Sequence, residues 1–211
     1  MGNDLISYKT VKKGCSAEFT EKKSVFVCTV KPVQSEEAAL DFIASIRQKH
    51  SSASHNVYAY MIKEANITRF SDDGEPSSTA GIPALSVLQK NELTNVTAVV
   101  TRYFGGILLG AGGLVRAYSR AVSLALEASG IALYEIFAEF EVLCGYADYD
   151  RLSKFIRSEK IIVDNTVFEE NVVLSLAVKQ GSFDKVKADI INLTDGRANL
   201  TMRGERFFSE V

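Results

Sequence analysis

The sequence contains few of the residues on which most catalytic and metal-binding motifs depend. Its 211 residues include two histidines, three cysteines, three prolines and no tryptophan. Cys15, Cys28 and Cys144 lie far apart, and no CxxC, HExxH or GxSxG pattern occurs. We therefore expect reduced thiols without a disulfide, and the sequence identifies no catalytic residue, no metal ligand and no cofactor. Whether the protein is an enzyme stays open at this point, and the missing motifs favour a protein that is not one.

The chain also lacks an apolar run of about 18 residues that could cross a membrane, and its start, MGNDLISYKT, does not have the pattern of a signal peptide. We therefore expect a cytoplasmic protein with no membrane partner. The net charge is −2; residues 1–133 carry 14 Lys and Arg against 12 Asp and Glu (+2), and residues 134–211 carry 10 against 14 (−4). A nucleic-acid-binding domain is usually strongly basic, so any site for a polyanion must be local.

Glycine, in contrast, is concentrated in one stretch, RYFGGILLGAGGLVRAYSR, from Arg102 to Arg120. The β-branched, apolar run before it predicts a buried strand. From Leu114 onward, the apolar residues recur at helical spacing, which places Arg116 and Arg120 on the exposed face of a helix. The stretch therefore predicts a strand, a glycine loop and a helix. Glycine at this density indicates positive φ angles or close approach of the backbone to another group.

Two interpretations of this glycine loop remain open. A glycine loop that enters a helix N-terminus presents backbone N–H groups to an anion, and Arg116 and Arg120 would add bidentate donors. The pattern is neither GxxxxGK[ST] nor GxGxxG, so it is not a nucleotide-binding fingerprint. In the alternative interpretation, the glycines only allow a sharp turn into a closely packed helix, and the arginines are solvated.

A second stretch, RFSDDGEPSSTAGIP from Arg69 to Pro83, places Asp72, Asp73 and Glu75 around a turn glycine. Such carboxylates could hold a divalent cation or act as an acid and base pair. The favoured alternative is that they cap backbone N–H groups and pair with arginines such as Arg69 or Arg102. We expect the following helix to run from about Thr79 to Lys90, with Ser78 or Thr79 as its cap.

Hydrophobic patterns predict the remaining elements. Strands are expected at residues 15–19, 24–31, 56–63 and 67–70, and a helix capped by Ser35 is expected to end near Lys49, with His50 as a C-terminal cation. From residue 137 the order β-α-β-β-α-β follows over about 65 residues, as in a ferredoxin-like split βαβ fold. The predicted class is α+β, with domains at residues 1–133 and 134–211.

These motifs together resemble the IMPACT family, and specifically its bacterial two-domain YigZ-type members. The resemblance rests on His55-Asn56 to Ala59-Tyr60, on SDDGEPSSTAGIP and on VVTRYFGGILLGAGGLVRAYS, and it covers the whole chain. Ser78 is a departure, because the family usually has glycine there. The resemblance implies an N-terminal domain like the second domain of a small-subunit ribosomal protein. It also implies a C-terminal ferredoxin-like domain similar to that of elongation factor G.

The resemblance further implies a role linked to translation, with RNA, the ribosome or a translation-related protein as partner. We therefore expect a regulatory protein that binds nucleic acid through the glycine loop and the arginines. One alternative is an enzyme that binds a phosphorylated ligand or nucleotide with a carboxylate-held magnesium ion, and another is a protein-interaction regulator of the translational stress response. The candidate binding residues are His55, Arg69, Asp72, Asp73, Glu75, Arg102, Gly105, Gly106, Gly110, Gly112, Gly113, Arg116 and Arg120.

Overall fold

The computed structural model describes residues 6–64 and 66–209. These residues form two compact units, one of which is Tyr8–Leu133 while the other contains Tyr134–Ser209. Within the described residues there are two antiparallel sheets and five α-helices, which confirms the predicted α+β class. No helix in the described part of the chain is long and apolar enough to cross a membrane.

The first unit is a five-stranded sheet with helices on both faces. Its elements in chain order are β1 (Tyr8–Val11), β2 (Cys15–Glu21), β3 (Ser24–Pro32), α1 (Glu36–Lys49), β4 (His55–Ile62), β5 (Ile67–Ser71), α2 (Gly81–Lys90), β6 (Val96–Tyr103) and α3 (Ala111–Ser129). The strands of the sheet pair in the order β2-β3-β6-β4-β5. The predicted strands are thus confirmed, whereas the short β1 was not predicted.

The central strand β6 explains why the sheet is covered on both faces. Seven of its eight residues are buried, and consecutive side chains of a strand point to opposite faces. Val99 packs in the cluster that contains Ile43 and Ile46 of α1, whereas Val100 packs with residues of α2 and α3. A continuous apolar run of this kind is typical of a strand between two layers.

Helix α1 begins as the sequence predicts. Ser35 has an extended backbone, and its hydroxyl accepts a hydrogen bond from the Ala38 N–H at 3.1 Å. Glu36 and Glu37 occupy the first turn, where carboxylates interact favourably with the helix dipole. The cap and the charges therefore fix the start of this helix locally.

The expectation that His50 is a C-terminal cation is wrong. The backbone N–H of His50 does close α1 by donating to the Ile46 carbonyl. The imidazole, however, is bonded through Nδ1 to the Tyr103 hydroxyl at 2.8 Å. Burial, with a smaller contribution from Lys49, lowers the pKa of His50 below its usual value, so the neutral form is favoured.

The predicted helix α2 is present and ends at Lys90 as expected, but its predicted cap is wrong. The helix begins at Gly81 rather than Thr79, and neither Ser78 nor Thr79 caps it. The Thr79 hydroxyl donates to the Pro76 carbonyl at 2.6 Å. Asp72 provides the cap instead, because its Oδ1 accepts from the N–H groups of Ala80 at 3.0 Å and Gly81 at 2.8 Å. The cap of α2 is therefore the side chain of Asp72, nine residues before the helix begins, whereas the sequence predicts Ser78 or Thr79 as the cap.

The second unit has the predicted order β-α-β-β-α-β. Its elements are β7 (Ile131–Cys144, of which the residues from Tyr134 belong to this unit), α4 (Tyr146–Ser158), β8 (Ile162–Phe168), β9 (Val172–Lys179), a short 3₁₀ turn (Gln180–Ser182), α5 (Phe183–Leu193) and β10 (Asn199–Phe208). Four of these strands pair antiparallel in the order β10-β7-β9-β8. Its core contains Phe140, Leu152, Leu176 and Ile190.

The three cysteines are unpaired thiols in different environments. Cys28 is fully buried in the core of the first unit, and burial raises the pKa of its thiol far above the usual range. Burial and the nearby Asp148 raise the pKa of Cys144 as well. Cys15, at the start of β2, is only partly buried. The two buried thiols therefore remain protonated at neutral pH.

Candidate functional site

The glycine loop between β6 and α3 adopts the predicted strand, loop and helix arrangement. Gly106 and Gly110 have φ angles of +81° and +71°, a region that side chains disfavour. Gly105 has a different role, because a Cβ there would lie 2.0 Å from the Lys23 carbonyl carbon. Its N–H donates to the Ser24 hydroxyl at 3.1 Å. The loop therefore packs directly against the turn between β2 and β3.

Helix α3 begins without a side-chain cap. Gly110 occupies the N-cap position and has no side chain to offer, and the first turn contains no acidic residue. The first backbone hydrogen bond of the helix runs from the Leu114 N–H to the Gly110 carbonyl at 3.0 Å. The positive end of the helix dipole is thus left without an anionic side chain of the helix itself.

A surface pocket of about 240 Å³ lies beside this helix start. Three of its charged side chains are cations and one is a carboxylate, which gives a local charge of 3 − 1 = +2. Its lining residues are Phe19, Glu21, Lys22, Leu109, Gly113, Arg116, Ala117 and Arg120. The Arg120 guanidinium lies 4.6 Å from the Phe19 ring centroid, so the ring holds this cation in place through a cation–π contact. Arg116 and Arg120 both line this pocket, which agrees with the prediction from helical periodicity that they share one face of α3.

Arg102 does not take part in this exposed surface. Its side chain is only 6% exposed, and it donates to Glu75 Oε1 at 2.5 Å. The guanidinium also contacts two aromatic rings, 5.4 Å from the Phe26 centroid and 5.6 Å from the Phe104 centroid. The expectation that Arg102 contacts a ligand together with Arg116 and Arg120 therefore does not fit this structure.

The three carboxylates of the acidic loop bind three different sets of partners. Asp72 caps α2 and also accepts from the Ser78 N–H at 2.9 Å. Asp73 pairs with Arg47 at 2.6 Å and accepts from the Asn56 N–H at 2.6 Å. Glu75 is buried and accepts from Arg102 and from the Tyr118 hydroxyl, the latter at 2.7 Å. This arrangement agrees with the favoured interpretation of the loop as a set of caps and ion pairs.

These contacts also change the acidity of the groups. Burial raises the pKa of Asp72, but three backbone N–H donors outweigh it and bring the pKa below its usual value. Burial and the hydrogen bond to Glu75 raise the pKa of Tyr118 well above its usual range. Tyr118 is therefore a neutral donor to Glu75 at all physiological pH values. Among the residues that the structure describes, no group of three or more His, Cys, Asp or Glu side chains could hold a metal ion.

His55 lies at the edge of this network. Its Nδ1 is 2.8 Å from the Asp73 carbonyl oxygen, which can only accept, so Nδ1 carries the proton. Its Nε2 is 3.9 Å from Glu75 Oε1, and the side chain is partly exposed. Arg69, by contrast, lies exposed on β5, and its side chain donates to the Thr68 carbonyl at 3.1 Å. The structure thus brings His55, Asp73, Glu75 and Arg102 together and leaves Arg69 outside.

Ser78 has a backbone conformation that favours glycine. Its φ angle is +64°, in the left-handed region that residues with a Cβ rarely occupy. The backbone N–H of Ser78 is held by Asp72, so the loop keeps this conformation despite the side chain.

Several residues at these sites were missing from the sequence-based candidates. Phe19 and Lys22 line the pocket, Tyr118 and Arg47 complete the carboxylate network, and Ser24 receives the Gly105 N–H. Tyr118 lies one helical turn from Leu114 on the buried stripe of α3, and its hydroxyl was the available signal, because a buried tyrosine usually needs a partner for it. The other four carry no local pattern that singles them out.

Comparison with known proteins places the two units in two domain families. Residues 22–126 match the Impact N-terminal domain, and residues 142–197 match a domain of unknown function (DUF1949). The chain is 37% identical to IMPACT family member YvyE of Bacillus subtilis over 93% of this chain and 91% of that protein. It is 32% identical to IMPACT family member YigZ of Escherichia coli over 85% and 89%. The chain therefore belongs to the IMPACT family.

Two further comparisons extend this result. The protein IMPACT of Mus musculus is 37% identical over 97 residues, which are 43% of this chain and 30% of that protein. A crystal structure of a hypothetical protein is 29% identical and covers 95% of this chain and 98% of its own, with a TM-score of 0.60. The bacterial relatives thus match almost the whole chain, whereas the mouse protein matches less than half of it.

Proposed function

We propose that this protein is a translation-linked regulatory protein that binds the RNA phosphate backbone at the start of α3. The observation that carries the proposal is the pocket that Lys22, Arg116 and Arg120 line together with Gly113, in the first turns of a helix that has no side-chain cap. Arginine donates two parallel hydrogen bonds to phosphate, and backbone N–H groups at a helix start add to such binding. Membership of the IMPACT family fits a role in the regulation of translation.

The RNA-binding residues that we propose differ from the sequence-based set. Arg116, Arg120 and Lys22 make the contacts, and Gly110, Gly112 and Gly113 let the backbone approach the phosphate. Arg102, Glu75 and His55 support the loop from within the first unit. The RNA is either free or part of the ribosome, and a translation-related protein partner would use the same unit.

An RNA titration across a salt series tests this proposal. Each phosphate contact contributes about 0.7 to 0.9 to the slope of log affinity against log salt. Replacing both Arg116 and Arg120 by alanine should therefore reduce the magnitude of the slope by about 1.4 to 1.8 and weaken binding at low salt. Lys90→Ala removes an exposed cation from α2 and should leave both quantities unchanged. Fluorescence anisotropy with a labelled RNA hairpin measures them; an unchanged slope in the double variant would overturn the proposal.

The magnesium-dependent alternative gains no support from the carboxylates. Asp72, Asp73 and Glu75 are engaged with backbone donors, Arg47 and Arg102 (Glu75 also with Tyr118), and they do not converge on one point. The pocket volume of about 240 Å³ is also slightly below the range of about 300 to 1,000 Å³ that is usual for small-ligand sites. We therefore keep a polymeric phosphate ligand as the proposal.

We also propose finer assignments for the two units. The strand order β10-β7-β9-β8 and the β-α-β-β-α-β succession support a ferredoxin-like second domain at residues 134–211. Its likeness to a domain of elongation factor G, and the likeness of residues 1–133 to the second domain of a small-subunit ribosomal protein, are proposals of the same kind. Both likenesses are to proteins of the translation machinery.

A further inference from the structure

An exposed apolar surface lies next to the basic pocket. Phe104, Ile107, Leu108 and Val115 are 48%, 41%, 81% and 39% exposed. They lie on the glycine loop and the first turns of α3, and Leu109 of the same loop lines the pocket. We call these four side chains, with Lys22, Lys23, Arg116 and Arg120, the glycine-loop surface. Several exposed apolar side chains on one short segment beside charged residues are typical of an interaction site.

Two planar groups of this surface, the Phe104 ring and the Arg120 guanidinium, each pack against another planar group. The Phe104 ring lies on the Arg102 guanidinium, which is itself packed on Phe26. The Arg120 guanidinium lies on the Phe19 ring, which stacks on Phe26 with centroids 5.3 Å apart. Phe104 and Arg120 are both exposed, so each is a planar group that has a packed partner on one side and is accessible to solvent.

Both groups are close to the same turn. Gly105, directly after Phe104, packs on Lys23 and Ser24, whereas Arg120 shares the pocket with Glu21 and Lys22. The turn between β2 and β3, which carries two lysines, is therefore near both Phe104 and Arg120. The glycine-loop surface has four cations, and together with Glu21 beside them the net charge is +3.

From this arrangement we infer that the glycine-loop surface binds unpaired nucleotides of RNA rather than an RNA duplex. The inference rests on the proposed function and specifies its ligand. Unpaired bases stack on aromatic rings and on arginine guanidinium planes, and their phosphates pair with nearby cations. A duplex buries its bases in its own stack and would leave Phe104 and Leu108 without a partner. An acidic amphipathic protein segment would cover the apolar residues, but it has no bases to stack on the Phe104 ring and the Arg120 guanidinium.

Equilibrium binding of the full-length protein to two labelled RNAs tests the inference. One is a single-stranded oligonucleotide and the other a blunt duplex with the same number of phosphates, at the same salt concentration. We expect the single strand to bind at least about tenfold more tightly, because base stacking on one side chain changes affinity by about 5- to 100-fold. Equal affinity for the two RNAs would overturn the inference.

Substitutions of Phe104 separate stacking from folding. Phe104→Leu keeps an apolar cover over Arg102 but removes the ring, so single-strand affinity should fall about 5- to 100-fold while duplex affinity stays within about twofold. Phe104→Trp should retain or increase single-strand affinity. Phe168→Leu is the matched control, because Phe168 is a comparably exposed aromatic residue of the second unit; this substitution should leave the affinity for both RNAs unchanged.

The outcomes distinguish this inference from the proposed function. If Phe104→Leu leaves single-strand binding unchanged while the Arg116 and Arg120 double variant loses it, the apolar residues serve another partner and the inference is overturned, but the phosphate contact stands. If the wild-type protein binds neither RNA at low salt, both are overturned. Loss of single-strand binding in Phe104→Leu with recovery in Phe104→Trp supports the inference, and loss of binding in the Arg116 and Arg120 double variant supports the phosphate contact.

Discussion

Glu75 is a buried carboxylate that joins two other buried polar side chains of the first unit. Its carboxylate is 3% exposed and accepts from Arg102 and Tyr118, while Arg102 is 6% exposed. A buried pair of this kind costs desolvation energy in both partners, so the pair itself is weak evidence of net stability. Removing only one partner, however, leaves an uncompensated buried charge.

We expect Glu75→Gln to destabilise the first unit by about 3 to 5 kcal/mol, because Arg102 would remain charged and buried without a counter-ion. Tyr118→Phe removes one hydrogen bond to a charged group and should cost about 1.5 to 3 kcal/mol. Urea unfolding followed by circular dichroism measures both.

The double substitution Glu75→Gln with Arg102→Met is the control for this prediction. It removes both charges, so it should be more stable than Glu75→Gln alone. If the free energy of unfolding of Glu75→Gln is within about 1 kcal/mol of that of the wild type, solvent or another group neutralises Arg102. The description of Glu75 and Arg102 as a buried ion pair would then be incorrect.

At the scale of elements, the glycine loop joins the central strand of the first sheet to its longest helix. Gly105 fits against the backbone of the β2–β3 turn, whereas Gly112, in the first turn of α3, meets only the Arg116 guanidinium 3.6 Å from a Cβ position. The same residue type therefore has a packing role at one position and little steric role at the other.

This difference gives an element-scale prediction. Gly105→Ala should destabilise the first unit by about 1 to 3 kcal/mol, because an added methyl group forces the loop away from Lys23 and Ser24. Gly112→Ala should be neutral or stabilising by up to about 1 kcal/mol, since alanine is the better helix former. Thermal unfolding of both variants measures the difference. A Gly105→Ala variant as stable as Gly112→Ala would show that the loop shifts without cost.

Some features of these elements could be predicted from the sequence, and others could not. The strand, loop and helix around the glycines follow from local periodicity, and so does the exposure of Arg116 and Arg120 on α3. The burial of Arg102 does not, because β6 is apolar on both faces and no alternation shows which face a polar residue takes. Its partner Glu75 lies 27 positions earlier, on a loop whose position depends on the register of β4 against β6.

At the scale of the whole molecule, the described residues form separate hydrophobic cores. Leu88 is fully buried in the core of the first unit, and Leu152 is fully buried in that of the second. Separate cores support our proposal that residues 1–133 and 134–211 are two domains.

Core truncations test the two-domain proposal. Leu88→Ala and Leu152→Ala should each cost about 2 to 5 kcal/mol, because they remove buried methyl groups and leave cavities. Amide hydrogen exchange followed by mass spectrometry should show faster exchange mainly in the unit that carries the substitution. Uniformly faster exchange along the whole chain in both variants would mean that the chain unfolds as one unit.

The burial of two of the three cysteines has a consequence for labelling chemistry. Maleimides and iodoacetamides react with thiolates, and the raised pKa values of Cys28 and Cys144 keep both protonated inside their cores. Cys15 is left as the site where a dye or spin label attaches to the folded protein. It lies on β2, the strand that also carries Phe19 beneath Arg120. Cys15 therefore allows a spectroscopic label to be attached, without any substitution, to the strand that supports the glycine-loop surface.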